Sequence, residues 1–186
     1  TEIQAKAEQV LATVRKQRGA KSAQAIVMDP RNGKIFAMAT VPSYNPNVRT
    51  KVPEARTHNR PVTDTFEPGS TFKIVTVAGA LEEKAVTPAT RFNLPVRYEV
   101  YDRTLRDAER KEEKTLSVTE ILRDSSNIGT VKIAEELGPD SVQRWIERFG
   151  FGETTGISYP GEVSGLVLPR DEWSGVSIIN IPPRRI

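Results

Sequence analysis

The sequence contains no cysteine and a single histidine. Without cysteine there are no disulfides, no thiolate nucleophile and no cysteine-ligated metal. The one histidine, His58, sits in the polar stretch "EARTHNRP" and reads as an exposed loop residue. It rules out a histidine-rich metal site, and any serine–histidine triad would have to use it. No apolar run approaches the roughly 18 residues that a membrane-spanning helix needs. The N-terminal "TEIQAKAEQVLATVRK" has the pattern of an amphipathic helix rather than of a signal peptide. The 186 residues as they stand therefore read as soluble, and a start in mid-helix without methionine points to a piece of something longer. The 27 Lys and Arg exceed the 24 Asp and Glu by only +3. That excess is spread out, without the basic blocks or interleaved aromatics of a nucleic-acid groove, so nucleic acid is not an expected partner. Internal repeats and low-complexity segments are lacking too.

The length suits one main hydrophobic unit. Ile3, Ala7, Val10, Leu11 and Val14 fall at helical spacing, which predicts a first helix ending near Gly19. The runs "SAQAIVMDP" and "KIFAMAT", joined through Asn32-Gly33, predict a β-hairpin over about 22–40 with positive φ angles at a tight turn. Its nearly continuous apolar character predicts central strands covered on both faces. Five prolines between residues 41 and 69 mark a long ordered connection, of the kind that is usually functional. From Ser70, "STFKIVTVAGALEEK" is apolar nearly all round and predicts a buried helix over about 70–84. The charged stretch 97–114 reads as a solvated excursion. Ser117 and Glu120 have capping-box spacing for a short helix. An interruption at "DSSN" follows, then a helix over about 128–137 and an amphipathic helix "PDSVQRWIERFGFG" closed by glycine. Residues 85–150 are thus expected to form an all-helical lobe.

The chemistry is concentrated in "FEPGSTFK". Ser70 and Lys73, spaced i and i+3, share a helix face within hydrogen-bonding reach. A serine hydroxyl becomes a nucleophile when a base takes its proton, and a lysine in apolar surroundings can be that base because burial disfavours its charge. At a first helical turn, free N–H groups can steady an oxyanion. Alone, Ser-x-x-Lys also fits an N-cap serine beside an exposed lysine. The Pro68-Gly69 corner and the later "SSN", with Ser125 and Asn127 as a second polar pair, tilt the reading toward a site.

With these motifs the chain resembles the transpeptidase domain of class B penicillin-binding proteins, which share a Ser-x-x-Lys, Ser-x-Asn and Lys-Thr-Gly set with the β-lactamases. "STFK" and "SSN" match the first two motifs, and "AIVMDPRNGKIFAMATVPSYNPN", "NRPVTDTFEPGSTFKIVT", "TLRDA", "SSNIGTVKIAEELG" and "FGFGETTGISYPGE" follow the family in order, from about residue 3 to 181. The resemblance implies an α/β (α+β) fold with an antiparallel sheet, helices on both its faces and a helical lobe. It implies Ser70 as the acylated nucleophile and Lys73 as its base. Ser125 would relay a proton to the leaving amine, and Asn127 would hold substrate or Lys73. The implied reaction cross-links peptidoglycan stem peptides at D-Ala-D-Ala, with β-lactams as substrate mimics and no cofactor or metal. The implied location is extracytoplasmic, in a parent anchored by an N-terminal transmembrane helix and working with division or elongation proteins.

No Lys-Thr-Gly or Lys-Ser-Gly occurs, and Thr155-Gly156 follows Thr154. "PRRI" does not resemble the family's continuation, so the domain is expected to lack its last strands and closing helix. Weak or absent activity, exposed apolar surface and self-association through an incomplete sheet are expected in consequence. Two other readings stay open: a non-catalytic binding or scaffold module, and a β-lactamase or β-lactam sensor. For the last, Glu162 and Glu172 in "GEVSGLVLPRDEW" are the available glutamates.

Overall fold

Thr1 accepts the backbone N–H of Gln4, and this cap starts α1 (Glu2–Arg18), which ends in the left-handed conformation of Gly19. The computed structural model describes residues 1–47, 51–100, 103–107 and 112–173, in two compact units. The stretches "SIINIP" and "PRRI", on which the reading of the C-terminal end rested, lie outside the described residues.

The first unit comprises Thr1–Asp64 and Ile157–Val163. In it, β1 (Ala23–Met28) pairs antiparallel with β2 (Ile35–Val41), with Ala25 opposite Ala39 and a bulge after Val27. Small and branched residues of β2, namely Ala37, Ala39 and Val41, are buried. α1 packs beside β2, and the Gln4 side-chain amide bonds both ways to Met38: its Oε1 accepts the Met38 N–H at 2.9 Å and its Nε2 donates to the Met38 carbonyl at 3.0 Å.

Two expectations for the hairpin need correction. Its turn is not a two-residue Asn-Gly turn with positive φ at both positions, because only Gly33 (φ 73°) is left-handed. The Asp29 carboxylate instead gathers Arg31 N–H, the Arg31 guanidinium and the Asn32 amide inside a loop closed by Asp29 N–H on the Lys34 carbonyl. Nor are the strands covered on both faces, since Ile26 (48%) and Met28 (53%) are exposed, as are Val27, Ile35 and Phe36. Among the described residues this sheet has two strands. Beyond it, the short helix α2 (Arg60–Thr63) buries Val62, whose carbonyl accepts Val163 N–H.

The second unit comprises Thr65–Gly156 and the described part of Ser164–Ile186. Its core is built on α3 (Lys73–Glu82), α4 (Val118–Arg123), α5 (Asn127–Leu137) and α6 (Pro139–Arg148). Phe72, Val75, Val77, Ala80, Ile121, Ile128, Ile133 and Ile146 are among its buried side chains. Glycine lets the helices approach closely. A Cβ on Gly79 would stand 2.6 Å from the Trp145 ring, and one on Gly129 would stand 2.6 Å from Ile121. The carboxylate of Glu83, just past α3, accepts from Ser141, Arg144 and the Trp145 indole, which ties that helix end to α6.

The predicted Ser117–Glu120 capping box is present at α4, and Gly150 (φ 76°) follows α6. The region 85–150 is not helical throughout, however. It also holds two antiparallel pairs: β3 (Arg91–Leu94) with β6 (Lys114–Ser117), and β4 (Tyr98–Val100) with β5 (Arg103–Leu105). The charged excursion is therefore partly an ordered ribbon. Val100 lies buried against Val131 of α5, and Tyr98 donates its hydroxyl to Glu135.

Candidate active site

Gly69, at φ 59°, takes a left-handed turn that residues with a Cβ adopt at a cost, and the chain then winds into a 3-10 turn over Gly69–Phe72 before α3 begins at Lys73. The predicted helix over 70–84 thus starts three residues later, with Ser70 on the tighter turn that leads into it. Phe72 anchors this turn from below, buried and edge-to-face with Phe151 at 5.5 Å between ring centroids. Ser70 stays exposed while Lys73, three residues on, is only 2% exposed.

A buried ammonium needs acceptors for its three hydrogens. Lys73 Nζ finds all three between α4 and α5. It donates to Asn127 Oδ1 at 2.7 Å, to Ser125 Oγ at 3.0 Å, and to the Ser125 backbone carbonyl. These contacts favour the charged form, yet burial still lowers Lys73 to about 8, well under the ordinary lysine range.

The shared helix face does not by itself join the two side chains. Among the described residues no side-chain hydrogen bond links Ser70 to Lys73, although the Lys73 backbone N–H bonds the Ser70 carbonyl; the "SSN" segment takes up every Nζ hydrogen. A carbonyl, a hydroxyl and an amide oxygen converging on a buried cation solvate it better than one exposed hydroxyl can. Ser70, Lys73, Ser125 and Asn127 otherwise lie in one unit, with the last three in direct contact.

The interruption between α4 and α5 gives that convergence its shape. Ser125 has φ 53°, a left-handed conformation unusual for a residue with a Cβ. Ser126, buried, caps α5 by accepting Gly129 N–H at 2.9 Å. A residue that the sequence reading did not single out completes the arrangement. Asp107, just after β5, accepts the Asn127 N–H at 2.6 Å, the Ile128 N–H at 3.1 Å and the Ser126 hydroxyl at 2.6 Å. "TLRDA" carries the family resemblance, but an acid 19 residues ahead of its cap has no local sequence signal.

Of the remaining candidates, His58 is half exposed beside Glu54. Glu172 is exposed in the 3-10 turn Arg170–Glu172, and Glu162 belongs to the first unit. Among the described residues no cluster of three or more His, Asp or Glu suits a metal, and no helix is long and apolar enough to cross a membrane.

Comparison with known proteins shows which family the chain belongs to. The profile described as "Penicillin binding protein transpeptidase domain" matches residues 23–182. Penicillin-binding protein PbpB of Mycolicibacterium smegmatis is 33% identical over 182 residues, covering 97% of this chain and 28% of that protein. Peptidoglycan D,D-transpeptidase FtsI of Escherichia coli is 36% identical over 157 residues, covering 84% of this chain and 26% of that protein. The chain thus spans about a quarter of the length of these curated relatives. Among solved structures, apo penicillin binding protein 3 of Mycobacterium tuberculosis superposes with a TM-score of 0.87 at 29% identity, over 96% of this chain and 40% of that one. The same protein has also been solved with aztreonam and with ampicillin. The mixture of helices and antiparallel strands is that of penicillin-binding transpeptidase domains, and the chain belongs to the class B penicillin-binding protein transpeptidase family.

Proposed function

We propose that these residues form the nucleophile side of a D,D-transpeptidase centre that acts outside the cytoplasm on peptidoglycan stem peptides ending in D-Ala-D-Ala. The observation that carries this reading is Lys73: buried, lowered to about 8, and held by Ser125 and Asn127 one turn from the exposed Ser70. A neutral Lys73 keeps two hydrogens, enough for the Ser125 carbonyl and Asn127 Oδ1, and its freed lone pair can take the Ser70 proton. Ser70 Oγ then attacks the carbonyl carbon of the penultimate D-Ala. The C–N bond to the terminal D-Ala breaks, and the proton passes from Lys73 through the Ser125 hydroxyl to that leaving amine. The amine of a neighbouring stem peptide next attacks the acyl ester, forms the cross-link and returns the proton to Ser70. A β-lactam follows the first half of this path with its leaving group still tethered.

The sequence holds no Lys-Thr-Gly. In the family that this chain resembles, the residue beyond that motif supplies one oxyanion N–H, and loss of one such donor typically costs about 10² to 10³ in rate. The 186 residues alone are therefore expected to acylate slowly. Incubation with a fluorescent penicillin tests this: a faint, slowly growing band that vanishes in Ser70→Ala is expected. A band that survives the substitution overturns the assignment of Ser70. No band after prolonged incubation favours a scaffold module, and fast release of the label favours a β-lactamase.

A further inference from the structure

The three oxygens around Lys73 come from the three-residue interruption 124–126 and from Asn127, the first residue of α5, and Ser125 in the interruption holds an unfavourable backbone conformation (φ 53°). Short interruptions of this kind persist only where their surroundings over-determine them. Lys73 cannot do this alone, because its contacts are the ones to be explained. The independent constraint comes from the other side. The carboxylate of Asp107 binds three consecutive residues: the Ser126 hydroxyl at 2.6 Å, the Asn127 N–H at 2.6 Å and the Ile128 N–H at 3.1 Å. Beside it, the Arg106 carbonyl accepts the Asn127 side-chain Nδ2 at 3.3 Å, which leaves Oδ1 turned to Lys73.

Asp107 is itself fixed without reference to Lys73. It follows β5, whose partner β4 is anchored on α5 by buried Val100 against Val131, by the Tyr98 hydroxyl on Glu135, and by Lys132 over the Tyr98 ring at 4.5 Å. Charge-assisted bonds to a helix N-terminus are also among the stronger ones available.

We propose that Asp107 is a positioning residue: through Ser126 and Asn127 it holds the Ser125 and Asn127 oxygens on Lys73, and so keeps the lysine enclosed and its side chain aimed. This deepens the transpeptidase reading above and rests on it for its purpose, though not for its measurement. The test is the rate at which acetic anhydride modifies Lys73, read by mass spectrometry of its peptide and compared with the other lysines well below each variant's melting temperature. Asp107→Ala is expected to speed Lys73 modification roughly tenfold or more, the equivalent of losing about one charge-assisted bond that keeps the loop closed. Asp107→Asn keeps a carbonyl for the two N–H groups and an NH₂ for Ser126 Oγ, so it is expected to restore near-native protection. Leu94→Ala, which empties a fully buried position in β3 and touches none of the hydrogen bonds around Lys73, serves as a control of lowered stability and is expected to leave Lys73 protected. If Asp107→Ala modifies no faster than Leu94→Ala, or if Asp107→Asn is as open as Asp107→Ala, the proposal is overturned. Because this readout needs no acylation of Ser70, an unlabelled Ser70 would sink the transpeptidase reading while the Lys73 rates still decide the role of Asp107.

Discussion

At the scale of single residues, the protonation of Lys73 is the variable with the clearest consequence. A base must be deprotonated, and a value near 8 leaves about a tenth of Lys73 neutral at pH 7, roughly 300-fold more than an ordinary lysine would offer. Lowering the pH below 8 protonates Lys73 and removes the base, and raising it above 8 gains little more. The rate of Ser70 labelling by penicillin is thus expected to climb about tenfold per pH unit below pH 7, about fivefold from 7 to 8, and then level off. A flat profile between pH 6 and 9 would refute Lys73 as the base. Much of this was legible in the sequence: Ser70, Lys73, Ser125 and Asn127 announce themselves by type and spacing. Of the partners of Lys73, Asn127 was within the reading only through the family resemblance and the Ser125 oxygens were not, because a side chain's choice between an exposed hydroxyl three residues away and acceptors more than 50 residues away is decided by burial.

Elements were readable wherever their signals were local. The capping box of α4, the apolar α3 and the glycine after α6 all came from neighbours within a turn. The β4–β5 ribbon did not, since its charged residues hid two short strands that depend on α5 for support. The Asp29 loop was misjudged for a related reason, because a carboxylate gathering several donors competes with a tight Asn-Gly turn. Packing between elements also makes a sharp demand that composition cannot show. Gly129 lies where a methyl group would press into both γ-carbons of fully buried Ile121 at 2.6 Å. Gly129→Ala is expected to lower stability by about 1–3 kcal/mol despite alanine's better helix propensity, as measured by urea denaturation. An equal or higher midpoint would show that α4 and α5 separate easily.

Over the whole molecule, the two units differ in how much they bury. The second encloses a continuous cluster running from Phe72 to Ile146, whereas α1 in the first has no fully buried residue and β1 exposes Ile26, Val27 and Met28. Local opening follows buried contact, so hydrogen exchange is expected to be slowest at amides of α3 and α5 and markedly faster along α1 and β1. Equal protection in both units would contradict the burial pattern. The pairing of Gln4 with Met38 bears on this same first unit. A side-chain amide presents the N–H and C=O of a peptide group, so at Met38 it occupies the outer edge of β2 as a neighbouring strand would. The sheet is thereby given a direction of growth: a strand added beside β2 would have to displace the Gln4 amide of α1, while no hydrogen bond among the described residues occupies the outer edge of β1.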